Sequence, residues 1–388
     1  MNYHETASNP LLKGDGAEIA CFIGKSNNTL NLGELKVYKN YNTVKVDTSK
    51  GGLGVETTTT ETDNPLLFEV KQFFEEATQN NTTGTLGIPK VYVIDLGATP
   101  TIQNLKNALE EVKKVREIQV ISLVGFEQNL SNCETEADKT TAIKNQVSTL
   151  RLVYNNLLEE TEEGRFKIAY FRLPKNATIT ESIAYTSKPS DSEQSINEVR
   201  IVPVRYTNFG KIIAQICTTP YYIEPGYPAF KTIELGEFEL LTPTEKQTLF
   251  DAGVVFGEDD YRLETPVPRI CAGTTSAFGK TIDERPNDSL LHARRNADQQ
   301  MRELLKIIAP QLKRNETATN ILYVQADCEA YLNKEKDRGR IMDFNISIEE
   351  SDSNPYNLLV TCDITPVNST YAIDISCYIN SPYTTVTV

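Results

Sequence analysis

Apolar residues along this chain recur with two different periods, and the alternation between them outlines the architecture. Glu18-Ile19-Ala20-Cys21-Phe22-Ile23-Gly24-Lys25 is a short, nearly continuous apolar run closed by glycine, which predicts a buried strand. After the Asn-, Thr- and Gly-rich residues 25–64, read as strands and a polar loop, Asn64-Pro65 opens a helix. Asn64 is its candidate cap, Pro65 takes the first position, and Leu66, Leu67, Val70, Phe73, Phe74 and Ala77 follow at three- and four-residue spacing. Strand-like runs at 90–95, 118–124, 166–171 and 199–204 are separated by amphipathic helical patterns at 101–117 and 137–160 and by a polar, loop-like stretch at 174–197. Strand–helix–strand alternation with crossovers of this length implies a largely parallel sheet covered by helices.

The remainder continues the mixture. A helix runs from Phe209 towards Pro220, and Thr242-Pro243-Thr244-Glu245 has the spacing of a capping box, with Gly253 placed as the stop. The last third reads as a strand (267–271), a long helix (288–311), a strand (321–323), a helix (328–336) and three strands at 341–347, 357–364 and 372–379. In the last of these Ile373, Ile375, Cys377 and Ile379 alternate with polar residues, and beyond Pro382 the chain ends on strand-favouring Tyr383-Thr-Thr-Val386-Thr-Val.

Composition narrows the function classes. The chain has 388 residues, enough for two or three cores, and a net charge of −14, which argues against nucleic acid as the main partner. No apolar run approaches the roughly 20 residues that span a bilayer. Met1–Gly16 lacks the basic and apolar regions of a secretory signal, so cytoplasmic synthesis is expected. The seven dispersed cysteines contain no C-x-x-C spacing and read as buried reduced thiols.

The chemical motifs do not hold together. Gly273 to Thr281 resembles a phosphate-binding loop, but five residues separate its two glycines and Thr274 stands where the first glycine belongs. The same stretch resembles a serine-protease nucleophile loop, yet the only histidines, His4 and His292, lie in a polar arm and a helix. The acidic pairs Glu110-Glu111, Glu159-Glu160, Glu258-Asp259-Asp260 and Glu349-Glu350 read as solvated surface on helix ends or loops. No catalytic, metal or cofactor residues are assigned. On the helix at 288–311, Arg295, Arg302 and Lys306 line up at helical spacing inside a locally basic segment. Two readings stay open for them: a solvated face, or a docking face for an acidic protein partner.

Taken in order, several segments resemble the sheath proteins of contractile phage-like tails and injection machines. They are Ala20-Cys21-Phe22-Ile23-Gly24; Asn64-Pro65-Leu66-Leu67 with Phe73-Phe74 and Val91-Tyr92-Val93-Ile94; Leu241-Thr242-Pro243-Thr244-Glu245 through Leu249 to Gly253-Val254; and Tyr331-Leu332, Gly339-Arg340-Ile341 and Asp363-Ile364-Thr365-Pro366-Val367. The family's usual Pro-Gly-Val-Tyr opening is absent. The resemblance implies a non-catalytic, subtilisin-like α/β domain with a parallel or mixed sheet, a smaller C-terminal α/β domain and extended terminal arms. The corresponding division is an arm at 1–18, a packing segment at 19–89, the larger domain at 90–262, the C-terminal domain at 263–371 and a strand or arm at 372–388.

It further implies a helical homopolymer around an inner tail-tube protein, with baseplate and tail terminator proteins at its ends, in a virion or phage-like particle tail. Direct nucleic-acid contact, membrane insertion and a cofactor are not expected. Subunits would be linked through Tyr3, Ala372, Ile373, Ile375, Cys377, Ile379, Tyr383 and Val386, with Arg295, Arg302 and Lys306 facing the tube. The competing class, a cytoplasmic α/β enzyme binding a nucleotide or sugar, predicts a glycine-rich turn after a strand of the parallel sheet. Leu96-Gly97-Ala98-Thr99-Pro100 supplies a single glycine there.

Overall fold

The computed structural model describes residues 18–55, 64–81, 90–127, 130–174, 177–186, 195–205, 209–226, 241–260, 267–270, 273–280, 283, 286–311, 318–351 and 354–367. In chain order the elements are β1 (Ile19–Gly24), β2 (Leu35–Tyr38), α1 (Tyr41–Val44), α2 (Pro65–Asn81), β3 (Val91–Asp95), α3 (Ile102–Lys113), β4 (Ile118–Val124), α4 (Glu136–Glu162), β5 (Ile168–Arg172), α5 (Ile179–Ala184), β6 (Ile201–Arg205) and α6 (Phe209–Thr218). They continue with α7 (Pro243–Asp251), β7 (Val255–Asp260), β8 (Val267–Ile270), α8 (Leu291–Ile308), α9 (Ala318–Asp337), β9 (Ile341–Ser351) and β10 (Asn354–Pro366).

The first eight strands form one sheet in the order β2-β3-β1-β4-β5-β6-β7-β8. From β3 to β7 every pairing is parallel, while β2 and β8 close the two edges antiparallel. Strand β7 divides its length: Val255 and Phe256 pair with β6, and Gly257 to Asp260 pair with β8. Strand β1 lies inside the sheet, with Phe22 beside Val93 of β3 and Ser122 of β4.

Both faces are covered, which is why the inner strands are apolar at nearly every position. Ala20 and Phe22 of β1 point into a cluster with Leu66, Val70 and Phe73 of α2 and with Ile212 and Ile216 of α6. Cys21 and Ile23 point the other way, against Leu105 and Leu109 of α3 and Val147 and Leu150 of α4. A third cluster, separate from both, joins Leu304 of α8, Val324, Cys328 and Leu332 of α9, and Ile341, Ile346 and Ile348 of β9. It covers the inner face of a two-stranded antiparallel sheet, β9 with β10.

Helix ends follow the capping signals. The Asn64 side chain accepts from the Leu67 amide at 3.0 Å. Thr242 and Glu245 cap α7 reciprocally, as their spacing predicts, and Thr101, Thr135 and Thr178 do the same for α3, α4 and α5. Three expectations need correction. The stretch at 174–197 contains α5, a short helix nucleated by the Thr178–Glu181 box. Residues 321–323 belong to α9 rather than to a strand, because Val324, Cys328 and Leu332 continue a helical stripe that buries against the third cluster. Glu258-Asp259-Asp260, read as loop, lies on β7, where pairing with β8 outweighs the low strand preference of carboxylates. Cys21, Cys217 and Cys328 are buried free thiols, and Cys133 and Cys362 are free and partly exposed.

Two interior features position α2, α4 and α6. At Gly210 an added Cβ would stand 2.0 Å from the Glu69 carbonyl oxygen. The Gly210 amide donates to Glu69 Oε2 at 2.6 Å, so α2 and α6 touch backbone to backbone. On the opposite face Lys167 and Glu160 form a fully buried ion pair, which corrects the solvated reading for Glu160, while its neighbour Glu159 is exposed as expected. Burial pushes the Lys167 ammonium down to about 8.

Replacing Gly210 with valine is therefore expected to force α2 and α6 apart and destabilise the chain by about 1–3 kcal/mol. Chemical denaturation measures this, and an unchanged midpoint would show that Gly210 does not set the helix spacing. Glu160→Gln strands the Lys167 charge and is expected to cost about 3–5 kcal/mol, whereas Glu160→Leu with Lys167→Met restores much of the loss. Equal losses in the single and double variants would contradict this account.

Candidate functional site

The arm residues Tyr3, Ala372, Ile373, Ile375, Cys377, Ile379, Tyr383 and Val386 lie outside the described residues. Glu18, the last residue of the proposed N-terminal arm, and Val367, five residues before the proposed C-terminal one, both bond to α8. This helix runs between the large sheet and the third cluster, and its polar side chains do most of the joining.

Arg295 is completely buried, which corrects its assignment to an exposed tube-facing row. Its Nε donates to Glu18 Oε2 at 2.9 Å, and its Nη2 donates to the carbonyls of Ile216 at 2.9 Å and Thr219 at 2.7 Å. A guanidinium withdrawn from water requires such fixed acceptors, and Glu18 supplies the countercharge. Arg302 is half-buried and its Nη2 donates to the Phe166 carbonyl at 2.5 Å. Only Lys306 of the three is exposed, and it pairs with Glu303 at 2.6 Å. The row at helical spacing thus passes from the interior at Arg295 to solvent at Lys306.

Asp298 is the acidic centre of the same helix. Arg200 grips it with two bonds of 2.9 and 3.1 Å, and Arg294 bridges it to Asp288. Burial alone would push the Asp298 carboxyl up, but the guanidiniums of Arg294 and Arg200 hold it below the usual carboxylate range. Towards the third cluster, Asn296 donates to the Arg340 carbonyl at 2.5 Å, and Tyr331 donates to Gln300 at 2.6 Å. Arg340 then meets Glu335 at 3.0 Å and the Tyr221 hydroxyl at 3.1 Å. Burial disfavours the charged Glu335, yet its bond to Arg340 keeps its carboxyl below the usual range.

His292, two per cent exposed, sits one turn before Arg295. Its Nδ1 lies 3.0 Å from Glu224 Oε2 and its Nε2 lies 3.0 Å from the Val367 carbonyl, so both neighbours are acceptors. Glu224 also accepts from the Gly273 amide at 2.5 Å. The segment that resembles a phosphate loop is spent on this scaffold. The Thr275 amide and hydroxyl donate to the Ser289 carbonyl, Ser276 bonds to the Glu198 backbone, and Thr274, Thr275 and Ser276 are buried. Among the described residues no group of histidine, cysteine or acidic side chains has the arrangement of a metal site, and no helix is long and apolar enough to cross a membrane.

The β9–β10 sheet has a second feature of interest. Phe344, Ile346, Ile348, Val360, Cys362 and Ile364 face the third cluster, while Asp343, Asn345, Glu349, Thr361 and Asp363 face outward. Neither outer edge has a strand partner among the described residues. Unpaired edges of a two-stranded sheet are ready templates for a further strand. The sequence announces this hairpin by its alternation, but it gives no sign that Glu18, Arg200 and Val367 converge on α8.

No protein-family profile and no curated protein matches the sequence. Solved structures do match. One chain of the anti-feeding prophage baseplate superposes with a TM-score of 0.64 at 10% identity, covering 94% of each chain. A chain of the anti-feeding prophage helical sheath in its contracted state gives 0.63 at 10% identity, covering 97% of this chain and 98% of the other. A sheath tail protein from Desulfitobacterium hafniense gives 0.53 at 9% identity, covering 95% and 100%. Over nearly its whole length, then, this chain has the fold of contractile tail sheath proteins.

Proposed function

We propose that the chain is a structural subunit of a contractile sheath, polymerising helically around an inner tube and shortening to drive that tube through a cell envelope. The observation that carries this reading is the near-complete superposition on sheath subunits, including one from a contracted sheath. The division into a subtilisin-like, non-catalytic larger domain and a smaller C-terminal domain is part of the same proposal. So are a location in a phage-like particle tail and partners comprising further copies of the chain, a tube protein, and baseplate and terminator proteins. The match to a chain of a baseplate structure supports the baseplate contact.

Contraction in this reading uses no nucleotide. The extended lattice is metastable, and subunits move as near-rigid bodies between two packings. Their connections have to survive that movement. Backbone pairing of a donated strand suits the requirement, because its hydrogen bonds do not depend on how the flanking domains are oriented. The outer edges of β9 and β10, without a strand partner among the described residues, support this role for a neighbour's residues 1–18 or 372–388, with Ala372 to Ile379 supplying the alternating strand. Of the three basic residues first assigned to the tube, Lys306 keeps an exposed position suited to that contact.

Purified full-length protein is expected to form hollow cylinders or helical polymers in electron micrographs. A stable monomer at high concentration would remove the sheath reading. Deleting residues 372–388 is expected to leave a folded monomer that no longer polymerises, as judged by circular dichroism together with sedimentation. Loss of folding would instead mean that the strand pairs within its own subunit.

A further inference from the structure

Glu18 closes the N-terminal segment proposed as a connector, and Val367 stands five residues before the C-terminal one at 372–388. Both touch the same helix. Glu18 binds Arg295 across 277 positions, and Val367 binds His292 across 75. His292 and Arg295 are three residues apart on α8, hence neighbours on one helical face and about 4–5 Å apart along its axis.

Each contact is braced from behind. Arg295 is also fixed to the Ile216 and Thr219 carbonyls, and the Glu18 amide donates to the Cys217 carbonyl between them at 3.0 Å. His292 is backed by Glu224, which the Gly273 amide holds in turn. From these contacts we infer that α8 is a clamp joining Glu18 to Val367, so that tension entering from one connector is passed towards the other across a single helical turn. The inference rests on the sheath reading only for the origin of that tension.

The geometry gives the clamp a definite task. Glu18 runs directly into β1, an interior strand of the large sheet, so a pull on the N-terminal segment would otherwise load β1 along its axis between β3 and β4. The Glu18–Arg295 pair carries that load to α8 before it reaches the strand. From α8 it leaves through His292 and the Val367 carbonyl. The large sheet then lies beside the line of force rather than in it.

Optical-trap pulling on the full-length monomer, through handles at its two termini, tests this. The wild type is expected to show an early rupture that precedes unfolding of the large sheet. Because the two contacts act in series, Arg295→Met or His292→Leu should each abolish that rupture, and the double variant should do no more. Single variants that retain it, or a double variant whose loss is the sum of two partial losses, would overturn the clamp. Should Arg295→Met fail to fold by circular dichroism, Glu18→Gln keeps the shape and removes the charge. It is expected to weaken the rupture, and an unchanged rupture would equally overturn the inference. The outcome is separable from the sheath reading. A monomer that ruptures as expected but never polymerises removes the sheath and leaves the clamp, whereas a polymer built from chains without the shared rupture does the reverse.

Discussion

A guanidinium sealed from water is tolerated only where rigid acceptors replace its hydration, and Arg295 has three of them on the described structure: one carboxylate and two carbonyls. That requirement fixes the end of α6, the start of β1 and the first turns of α8 relative to one another. The contacts of Asp298 with Arg200 and of Asn296 with Arg340 extend the same logic to the start of β6 in the large sheet and to the start of β9. The seam between the two packed bodies is therefore polar and directional. A shift along this seam would separate buried charges from their partners, which costs several kcal/mol per ion by order of magnitude, about what an unpaired buried charge costs.

This seam also shows where sequence reasoning succeeds and where it stops. The strands around β1 were readable because burial on both faces leaves almost no polar position in them. Helices α4 and α7 were readable from apolar periodicity or a capping box, both of which act within a few residues. Helix α5 is too short and polar to show a period, and the Ile321-Leu322-Tyr323 run has strand-forming residues whose helical neighbours decide the outcome. Within the basic row on α8, the burial of Arg295 is what the sequence does not disclose. Spacing correctly placed Arg295, Arg302 and Lys306 on related faces, but exposure depends on partners, and Glu18 is distant in sequence.

The fold of contractile sheath proteins persists here at about one identical residue in ten. Such tolerance is intelligible for a layered α/β scaffold. Core positions need volume and pattern rather than particular residues, and strand pairing needs no particular side chain. The buried glutamate, histidine and arginines around α8 are a different matter, since each has a partner that a neutral replacement would strand.

The strand order carries one more consequence, in the time domain. Strand β1 is synthesised first yet lies between β3 and β4, so the sheet cannot close around it until some hundred further residues have left the ribosome. The β9–β10 hairpin, whose outer edges have no strand partner among the described residues, follows every strand of the large sheet in the chain. A growing chain therefore holds all the strands of its large sheet before it owns the edges of that hairpin. Nascent copies crowded on one message would lack this template for pairing until the large sheet has been made.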